Sequence, residues 1–472
     1  MTAAVAAPAS APASRLPLAT ILLFALPALL VGFMHGPEQQ IQGIYAKYAG
    51  LALAALAMAT LLTRAFDAVT YPLIGYLSDL TYARTGTRKP WVAGGALFSA
   101  FGVWFLYRPP EGAGIVYYGV WTAVTYLGWK IAEIPYQAWS YALTRDYADR
   151  ARLQAWRAMA QLLGGMIFFA TPALAKALGM TQSGDLGFPA LSVTAVLCAI
   201  LVPLAAILVI WRVPEGHVPP PSAEARQRYG LVHSIRAVLN NRPMMWLIGA
   251  ALPIAILSGM AMGVMFLFLD VYLQLGENYP TVQLAAAPMA LIGVPFWGFL
   301  GVKFERHRVV AVSLILASIS YLGLSFISPG PMAFTLALIF YPLTVLALLG
   351  IVVLFPMLGD IADYGRLQTG EDLSGLYTAV FNFVQVSLRT VSSAGGIALV
   401  GWMGFDATAT VQSGAGELAI RLAAVILPAI GLGFAGVLFW GFPLTRARIA
   451  EVQRQLAESE ARASAKPDRP RD

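Results

Sequence analysis

The sequence predicts an all-α membrane protein whose twelve transmembrane helices form two six-helix bundles. Of its 472 residues, 58% are hydrophobic and 12% are charged, and the mean hydropathy is +0.69. A soluble protein has about 25% charged residues, so this composition is that of a polytopic membrane protein. The apolar residues fall in twelve runs of roughly the length needed to cross a bilayer, and the runs lack the alternation of membrane β-barrels. A hydrophilic connection, 213–243, leaves six runs on each side.

Each predicted span is one apolar run. In chain order the runs are 17–46, 50–78, 91–107, 114–142, 155–179, 186–212, 244–273, 281–303, 308–328, 332–358, 374–403 and 417–442. They divide the chain into an N-terminal bundle over 16–212 and a C-terminal bundle over 244–444.

The segments outside the two bundles are polar. We expect 1–15 to be a disordered tail and not a signal peptide, because it carries no positive charge before Arg15. Residues 213–243 are expected to form a cytoplasmic linker with an amphipathic helix over Ser222–Asn241, and 445–472 a cytoplasmic tail. Lys and Arg concentrate in the connections that lie on the same side of the membrane as the N-terminus. Because basic residues are enriched in cytoplasmic connections, we expect both termini in the cytoplasm and the protein in the inner or plasma membrane.

Composition and motif content exclude several other classes of protein. Cys198 is the only cysteine, so neither an intrachain disulfide nor a cysteine-based metal site can form. The four His are scattered, and the chain has no phosphate-binding loop or dinucleotide-binding motif. The chain has 31 basic and 24 acidic residues. We attribute the excess of basic residues to the cytoplasmic connections and not to nucleic-acid binding. We therefore expect no enzyme activity, metal, cofactor or nucleic-acid partner, and a monomer surrounded by membrane lipid.

A short internal repeat supports the division into two halves. Asp146–Gln154 and Asp360–Gln368 are identical at six of nine positions. They are predicted to lie at matching places, between spans four and five and between spans ten and eleven. Two related halves around a cavity are typical of secondary transporters with alternating access.

Three stretches carry a more specific pattern: Arg64–Trp91, Glu133–Arg157 and Asp363–Tyr377. Together they resemble the glycoside–pentoside–hexuronide:cation symporters of the major facilitator superfamily, and the resemblance extends from Leu16 to about Leu444. It implies the major facilitator fold and the transport of a sugar or glycoside with a cation.

The resemblance also implies individual site residues. It assigns a cation site to Asp67 and sugar binding to Glu133 and Arg157. Tyr71 stands where the family has a second carboxylate, and Lys130 stands where it has a hydroxyl. Because sodium requires several oxygen ligands and Lys130 brings a fixed positive charge, we expect proton coupling through Asp67 or Glu133, or uncoupled transport, and not sodium coupling.

Four charged residues are predicted at mid-membrane depth. Arg64 and Asp67 lie in the second predicted span, helix two (50–78), and Lys130 and Glu133 lie in the fourth, helix four (114–142). Each pair is spaced i,i+3 and therefore shares one helix face. An unpaired charge there costs about 2.5–3.5 kcal/mol, so we expect the pairs to meet each other or to face a wet cavity. The four residues either staple the two helices together or serve in cation coupling and solute binding.

A break in helix one and a polar stripe on helix eleven supply further candidates. Gly and Pro interrupt helix one over Gly32–Gln40, so Glu38, Gln39 and Gln42 either face a cavity or follow a simple kink. The helix-eleven stripe is expected to line the cavity, with interhelical hydrogen bonding as the alternative; its residues are Thr378, Asn382, Gln385 and Arg389.

Aromatic residues complete the predicted solute site. Tyr126 and Trp129 can stack on a sugar, although at helical spacing aromatic residues commonly pack in the core. The predicted solute-binding residues are Glu38, Gln39, Gln42, Tyr126, Trp129, Glu133, Arg157, Asn382, Gln385 and Arg389.

Charged residues in the cytoplasmic connections are predicted to form a gate. Ion pairs among them would hold the two halves together while the cavity faces outwards; the alternative is a solvated loop. The predicted gate residues are Asp79, Arg88, Lys89, Asp146, Asp149, Arg152, Asp360, Asp363 and Arg366.

These features predict a secondary transporter that moves a small polar organic solute by alternating access, with proton symport as the expected mode. A lysolipid or organic-anion carrier, or an exporter, of the same fold is an alternative. A membrane sensor that keeps the fold without turnover is another.

Overall fold

The computed structural model describes residues 16–144, 146–215, 238–370 and 373–464, and within these ranges the regular structure is helical. The predicted N-terminal tail, residues 465–472 of the predicted C-terminal tail and most of the predicted linker helix lie outside the described residues. The remainder of the C-terminal tail contains the helix Arg446–Ser464.

The helices of the first half follow the predicted spans closely. They are α1 (Leu18–Met34), α2 (Ile41–Ala49), α3 (Leu53–Thr85), α4 (Lys89–Leu106), α5 (Ile115–Ala142), α6 (Tyr147–Phe168), α7 (Thr171–Ala177) and α8 (Phe188–Arg212). A 3-10 turn, Gly36–Gln39, separates α1 from α2, so the predicted break in helix one is confirmed.

The helices of the second half include two π-helical segments. The α-helices are α9 (Arg242–Phe266), α10 (Tyr279–Lys303), α11 (Arg306–Ser325), α12 (Ala333–Leu348), α13 (Leu354–Thr369), α14 (Ser374–Trp402), α15 (Gly414–Arg421), α16 (Leu427–Trp440) and α17 (Arg446–Ser464). The π-helix Leu267–Tyr272 continues α9, and the π-helix Leu422–Ile426 joins α15 to α16.

Among the described residues, ten helical segments are long and apolar enough to cross a membrane. The predicted spans 91–107 and 114–142 form α4 and α5 and are not among the ten. Lys89 begins α4, and Lys130 and Glu133 lie within α5, so charged side chains lower the hydropathy of both helices. The all-α, multi-span character predicted from composition is confirmed.

Side chains with a hydrogen-bonding oxygen define several helix starts. Asp146 accepts a hydrogen bond from the backbone N–H of Asp149 at the start of α6, and Asn241 accepts one from the N–H of Met244 at the start of α9. Such caps satisfy amide groups that have no partner inside the helix. Gly370 ends α13 in the left-handed conformation, with φ of 75°, which a glycine adopts without strain.

The described residues group into two compact units. Unit 1 contains those of Met1–Glu38, Thr63–Leu178 and Phe188–Ser222, and unit 2 contains those of Gln39–Leu62, Gly179–Gly187 and Ala223–Asp472. The break in helix one therefore coincides with a boundary between units. The predicted domain limits at 212 and 244 stay a prediction.

Close approach of helix backbones fixes α1 against α6 within unit 1. A Cβ atom added at Gly32 would lie 1.9 Å from the carbonyl oxygen of Gln161, so only glycine fits at this crossing. Small residues allow such contacts between membrane helices. The crossing holds the end of α1, and hence the break that follows it, in a fixed position against α6.

Candidate functional site

The break after α1 brings Glu38 to Arg64 of α3. Glu38 Oε1 lies 2.6 Å from a terminal nitrogen of Arg64, and the two side chains are 31% and 27% exposed. The Arg64 guanidinium also lies 4.6 Å from the centre of the Tyr126 ring on α5, within the range of a cation–π contact. Arg64 therefore pairs with Glu38, and the expected cluster of Arg64 with Asp67, Lys130 and Glu133 stays a prediction.

An aromatic cluster of His35, Tyr126 and Trp129 adjoins this ion pair. The His35 ring centre lies 4.5 Å from that of Trp129 and 5.8 Å from that of Tyr126. His35 Nε2 and Trp129 Nε1 are buried without a hydrogen-bond partner among the described residues. The cluster therefore combines flat apolar faces with polar ring atoms that a hydroxylated ligand could satisfy.

A second ion pair joins α5 to α6. Glu133 Oε1 lies 3.2 Å from a terminal nitrogen of Arg157, and Gln137 donates a hydrogen bond of 3.2 Å to the same oxygen. Arg157 also donates to Gln154 Oε1 at 3.0 Å, and its guanidinium lies 4.3 Å from the Tyr136 ring centre. The two residues that the family resemblance assigns to sugar binding are therefore in direct contact.

Buried aromatic packing holds this part of α5 in place. The Tyr136 ring is stacked on that of Phe24 with centres 4.6 Å apart, and the Tyr136 hydroxyl donates to the Phe24 carbonyl. Trp139 packs edge-on against Phe24 and donates its indole N–H to the Pro214 carbonyl at 2.9 Å. Because these contacts fix α5, Glu133 is presented to Arg157 by a rigid support. Trp129, Glu133 and Tyr136 line a mainly apolar cavity among α1, α4, α5 and α8.

The remaining two members of the expected charge cluster are only partly defined. Asp67 lies in α3, and its side chain is outside the described residues. Lys130 is half-buried on α5 and has a polar interaction. The other two members have described ion pairs, Arg64 with Glu38 and Glu133 with Arg157.

After the break, the segment that begins at Gln39 belongs to unit 2. Gln39 is exposed, whereas Gln40 and Gln42 are buried, and their side-chain oxygens have no hydrogen-bond partner in the part of the chain that the structure describes. Gln40 donates to the Tyr279 hydroxyl at 3.1 Å. Gln283 also donates to that hydroxyl, at 2.6 Å, and accepts a hydrogen bond of 2.7 Å from Tyr341. This chain of hydrogen bonds was not predicted, because its members lie on three separate spans.

The polar stripe on α14 is partly unsatisfied within unit 2. Thr378 donates to the Ser374 carbonyl and Asn382 is exposed. Gln385 Oε1 and Arg389 Nε are buried without a partner among the described residues. Polar atoms in that state require hydrogen-bonding partners such as water or solute, so Gln385 and Arg389 stay candidates for solute contact.

The predicted gate residues of α3 and α4 are paired at the ends of these helices. Asp79 Oδ1 lies 3.1 Å from a terminal nitrogen of Arg88, which is 4% exposed and lies over the Tyr82 ring. Lys89 donates to the Ile210 carbonyl at 2.8 Å and lies 3.8 Å from Glu215. These contacts tie the ends of α3, α4 and α8 together inside unit 1.

The two copies of the internal repeat follow α5 and precede α14, respectively, and they take different places in the local helix. In the first copy Asp146 precedes α6, whereas Asp360 of the second copy lies inside α13. Nine residues that suit a helix start also suit a helix end, so their identity does not fix equivalent positions. Asp149 accepts hydrogen bonds from the backbone N–H of Leu16 at 2.7 Å and from Arg152 at 3.0 Å.

The second copy is bound within unit 2. Asp360 pairs with Arg306 at 2.5 Å, and Asp363 accepts a hydrogen bond of 3.3 Å from Gln453 of α17. Arg366 lies in the last turn of α13. Each of these described contacts joins residues of one unit, and a latch between the halves stays a prediction.

A buried ion pair in unit 2 was missed by sequence reasoning. Lys47 of α2 lies 2.5 Å from Asp270 of the π-helix, whose side chain is fully buried. A charged residue inside the apolar run 244–273 was the available signal, since a carboxylate at membrane depth indicates function. Within the described ranges, no group of three or more His, Cys, Asp or Glu residues is placed to hold a metal ion.

Comparison with known proteins places these contacts in a wider context. The family model described as MFS/sugar transport protein matches residues 17–446. The chain is 26% identical to the inner membrane symporter YicJ of Escherichia coli (strain K12), over 85% of this chain and 86% of that protein. It is 23% identical to the glucuronide carrier protein homolog of the same organism, over 86% and 88% of the two chains.

The fold is also similar to solved structures. Superposition on the nucleoside transporter NupG gives a TM-score of 0.60 at 13% identity and covers 90% of this chain and 99% of that one. At this identity the likeness shows a common fold alone.

Proposed function

This chain belongs to the MFS/sugar transport protein family, and we propose from this premise that it carries a sugar or glycoside across a membrane together with a proton. The resemblance to cation symporters found in the sequence agrees with the family match. The names of the similar proteins favour a symporter over a lysolipid or organic-anion carrier, an exporter or a sensor.

The observation that supports solute binding most directly is the contact of Glu133 with Arg157. A carboxylate accepts hydrogen bonds from solute hydroxyls, a guanidinium donates to ring and hydroxyl oxygens, and Gln137 can do both. Both charges are supported by aromatic packing around Tyr136, so their geometry is set before solute arrives. Preorganisation of this kind lowers the cost of binding.

A second group in the same unit suits the remaining parts of a sugar. Tyr126, Trp129 and His35 offer ring faces for its C–H groups, and Glu38 with Arg64 offers a further acceptor and donor. The proposed solute site of unit 1 therefore comprises both of these ion pairs, and Gln385 and Arg389 of unit 2 stay separate candidates for solute contact.

Proton coupling is proposed in place of sodium coupling. It is supported by Tyr71 and Lys130, which stand where the resembling family has a carboxylate and a hydroxyl. Asp67 or Glu133 would carry the proton. The proposed orientation in the inner or plasma membrane has both termini in the cytoplasm, as the distribution of Lys and Arg favours.

Purified protein tests solute binding. Thermal unfolding is measured with a panel of sugars, glycosides, organic acids and lysolipids, each with and without sodium. A sugar or glycoside should raise the melting temperature, because a ligand that binds the native state stabilises it. Stabilisation by a lysolipid alone would contradict the proposal.

Transport is then tested in proteoliposomes with the stabilising sugar. A pH gradient, acidic outside, should drive accumulation above the equilibrium level, whereas a sodium gradient at fixed pH and membrane potential should not. Accumulation that depends on sodium under these conditions would refute proton coupling.

A further inference from the structure

Lys47 and Asp270 form a buried ion pair that the proposed solute site does not use. Lys47 Nζ lies 2.5 Å from Asp270 Oδ1, with side chains that are 22% and 0% exposed. Both residues belong to unit 2. The other carboxylate oxygen, Oδ2, is buried and has no hydrogen-bond partner among the described residues. A desolvated carboxylate oxygen in this state has unused capacity to bind a positive group.

The Asp270 side chain adjoins an open cavity of about 510 Å³. Asp270 lines the cavity together with Lys47, Tyr48, Asp185, Gln274 and Glu277. A Cβ atom added at Gly276 would lie 2.9 Å from Asp185 Oδ1 and 3.4 Å from Asp270 Oδ2. The two carboxylates therefore flank one small space that the missing side chain of Gly276 leaves free.

The backbone around the cavity departs from regular structure at two places. Asp270 lies in the π-helix Leu267–Tyr272, and such segments often occur at functional sites. Gln274 has φ of 57°, a conformation that is uncommon for a residue with a side chain, and residues held in such conformations cluster at functional sites. Its side chain donates to the Thr410 carbonyl across the cavity at 3.1 Å.

The charges of the cavity favour a cation. Asp185, Asp270 and Glu277 bring three negative charges and Lys47 brings one positive charge, which leaves an excess of two negative charges. From α2, the Tyr48 hydroxyl approaches Asp185 at 3.5 Å.

The charged groups of the neighbouring α15 are compensated among themselves. Glu417 pairs with Arg421 at 3.3 Å and accepts a hydrogen bond from Tyr272 at 2.7 Å. The net negative charge therefore stays at the cavity, where it attracts cations from solution.

We propose that Asp270 is a proton-binding site of the transport cycle, and that a proton taken up on Oδ2 releases Lys47. A hydronium ion in the cavity gives one proton to Oδ2 and becomes water. Lys47 keeps its own proton and loses only its electrostatic attraction to the neutralised carboxyl group. This inference rests on the proposed proton symport and adds a second proton carrier, in unit 2, to Asp67 and Glu133.

Infrared spectroscopy of the purified protein tests the site without any solute. As the pH is lowered, the wild type should gain the band of a protonated carboxyl group that Asp270→Asn lacks. Lys47→Gln keeps the carboxyl group and should gain this band at higher pH, because the neighbouring positive charge is gone. Glu417→Gln is the matched control, a nearby carboxylate that already has partners, and should leave the band of Asp270 unchanged.

Two results would overturn the proposal. One is an identical set of carboxyl bands in the wild type and Asp270→Asn at every pH. The other is displacement of the band by sodium ions at fixed pH in the wild type, which would make the cavity a metal-cation site. Lys47→Gln serves as the readout should Asp270→Asn fail to fold, and an unshifted band in that variant also contradicts the proposal.

Transport measurements separate this inference from the proposed function. With a stabilising sugar as probe, Asp270→Asn should lose accumulation driven by a pH gradient and keep exchange of the sugar between the two sides. Full accumulation in Asp270→Asn would overturn the inference. A wild type that transports no sugar while its infrared band behaves as expected would refute the proposed function and leave the proton site intact.

Discussion

Replacement of Glu133 by Gln tests the solute site most sharply. The change keeps the shape of the side chain and removes the negative charge that lies 3.2 Å from Arg157. A hydrogen bond to a charged group contributes about 1.5–3 kcal/mol. At 1.4 kcal/mol per factor of ten, we expect solute binding to weaken by about 10-fold to about 150-fold.

Glu133→Gln should lower the free energy of unfolding by less than the removal of one partner from a fully buried ion pair does. Such a loss is about 3–5 kcal/mol. The Glu133 side chain is 23% exposed, and Arg157 keeps its hydrogen bond to Gln154 and its contact with Tyr136. Glu133→Gln should therefore fold and reach the membrane, with a modest decrease in melting temperature.

A charge exchange distinguishes solute binding from a purely structural role. The double variant Glu133→Arg, Arg157→Glu retains one charge of each sign but reverses which helix carries it. If the pair only holds α5 to α6, the double variant should regain both the stability and the transport that the two single variants lose. If the pair binds solute, stability should recover and transport should not.

The assay measures sugar binding by the shift in melting temperature and sugar uptake in proteoliposomes, for the wild type and each variant. Gln137→Leu is the matched control because it removes the uncharged hydrogen bond to the same Glu133 oxygen. Its effect should be smaller than that of Glu133→Gln. Wild-type affinity and uptake in Glu133→Gln would refute the assignment of this residue to the solute site.

Three further predictions concern separate parts of the molecule. Gly32→Ala should lower stability by about 1–3 kcal/mol, read as melting temperature, because the new Cβ atom would lie 1.9 Å from the Gln161 carbonyl; an unchanged value would contradict the crossing of α1 with α6. Glu38→Gln should cost about 1 kcal/mol or less, since its ion pair with Arg64 is partly exposed, and a much larger loss of stability would mean that the pair is more deeply buried. Arg389→Ala should abolish sugar uptake with unchanged membrane expression, and normal transport would remove this residue from the site.

Much of the fold could be predicted from the sequence because the bilayer imposes it. Long apolar runs must be helical when the backbone has no water to bond with, and this rule located the helices. The break of helix one was also predictable, since Gly36 and Pro37 interrupt it. The contact between Glu133 and Arg157 agrees with the resemblance to a known family.

The pairing of the charges could not be predicted from spacing along single helices. The ion pair of Arg64 with Glu38 forms because the break after α1 turns Glu38 towards α3. Lys47 and Asp270 are separated by 223 positions and meet only in the folded chain. Contacts of this kind depend on helix packing, about which hydrophobic periodicity carries no information.

The π-helix Leu267–Tyr272 has a consequence for the evolution of this chain. Successive residues of an α-helix are rotated by about 100° around its axis. Deletion of one residue before Asp270 could restore an α-helix at this place. Every later side chain of the span, including that of Asp270, would then rotate around the helix axis, and Asp270 would turn away from Lys47. A homologue aligned with a one-residue gap at this point should lack the acidic residue, the lysine, or both.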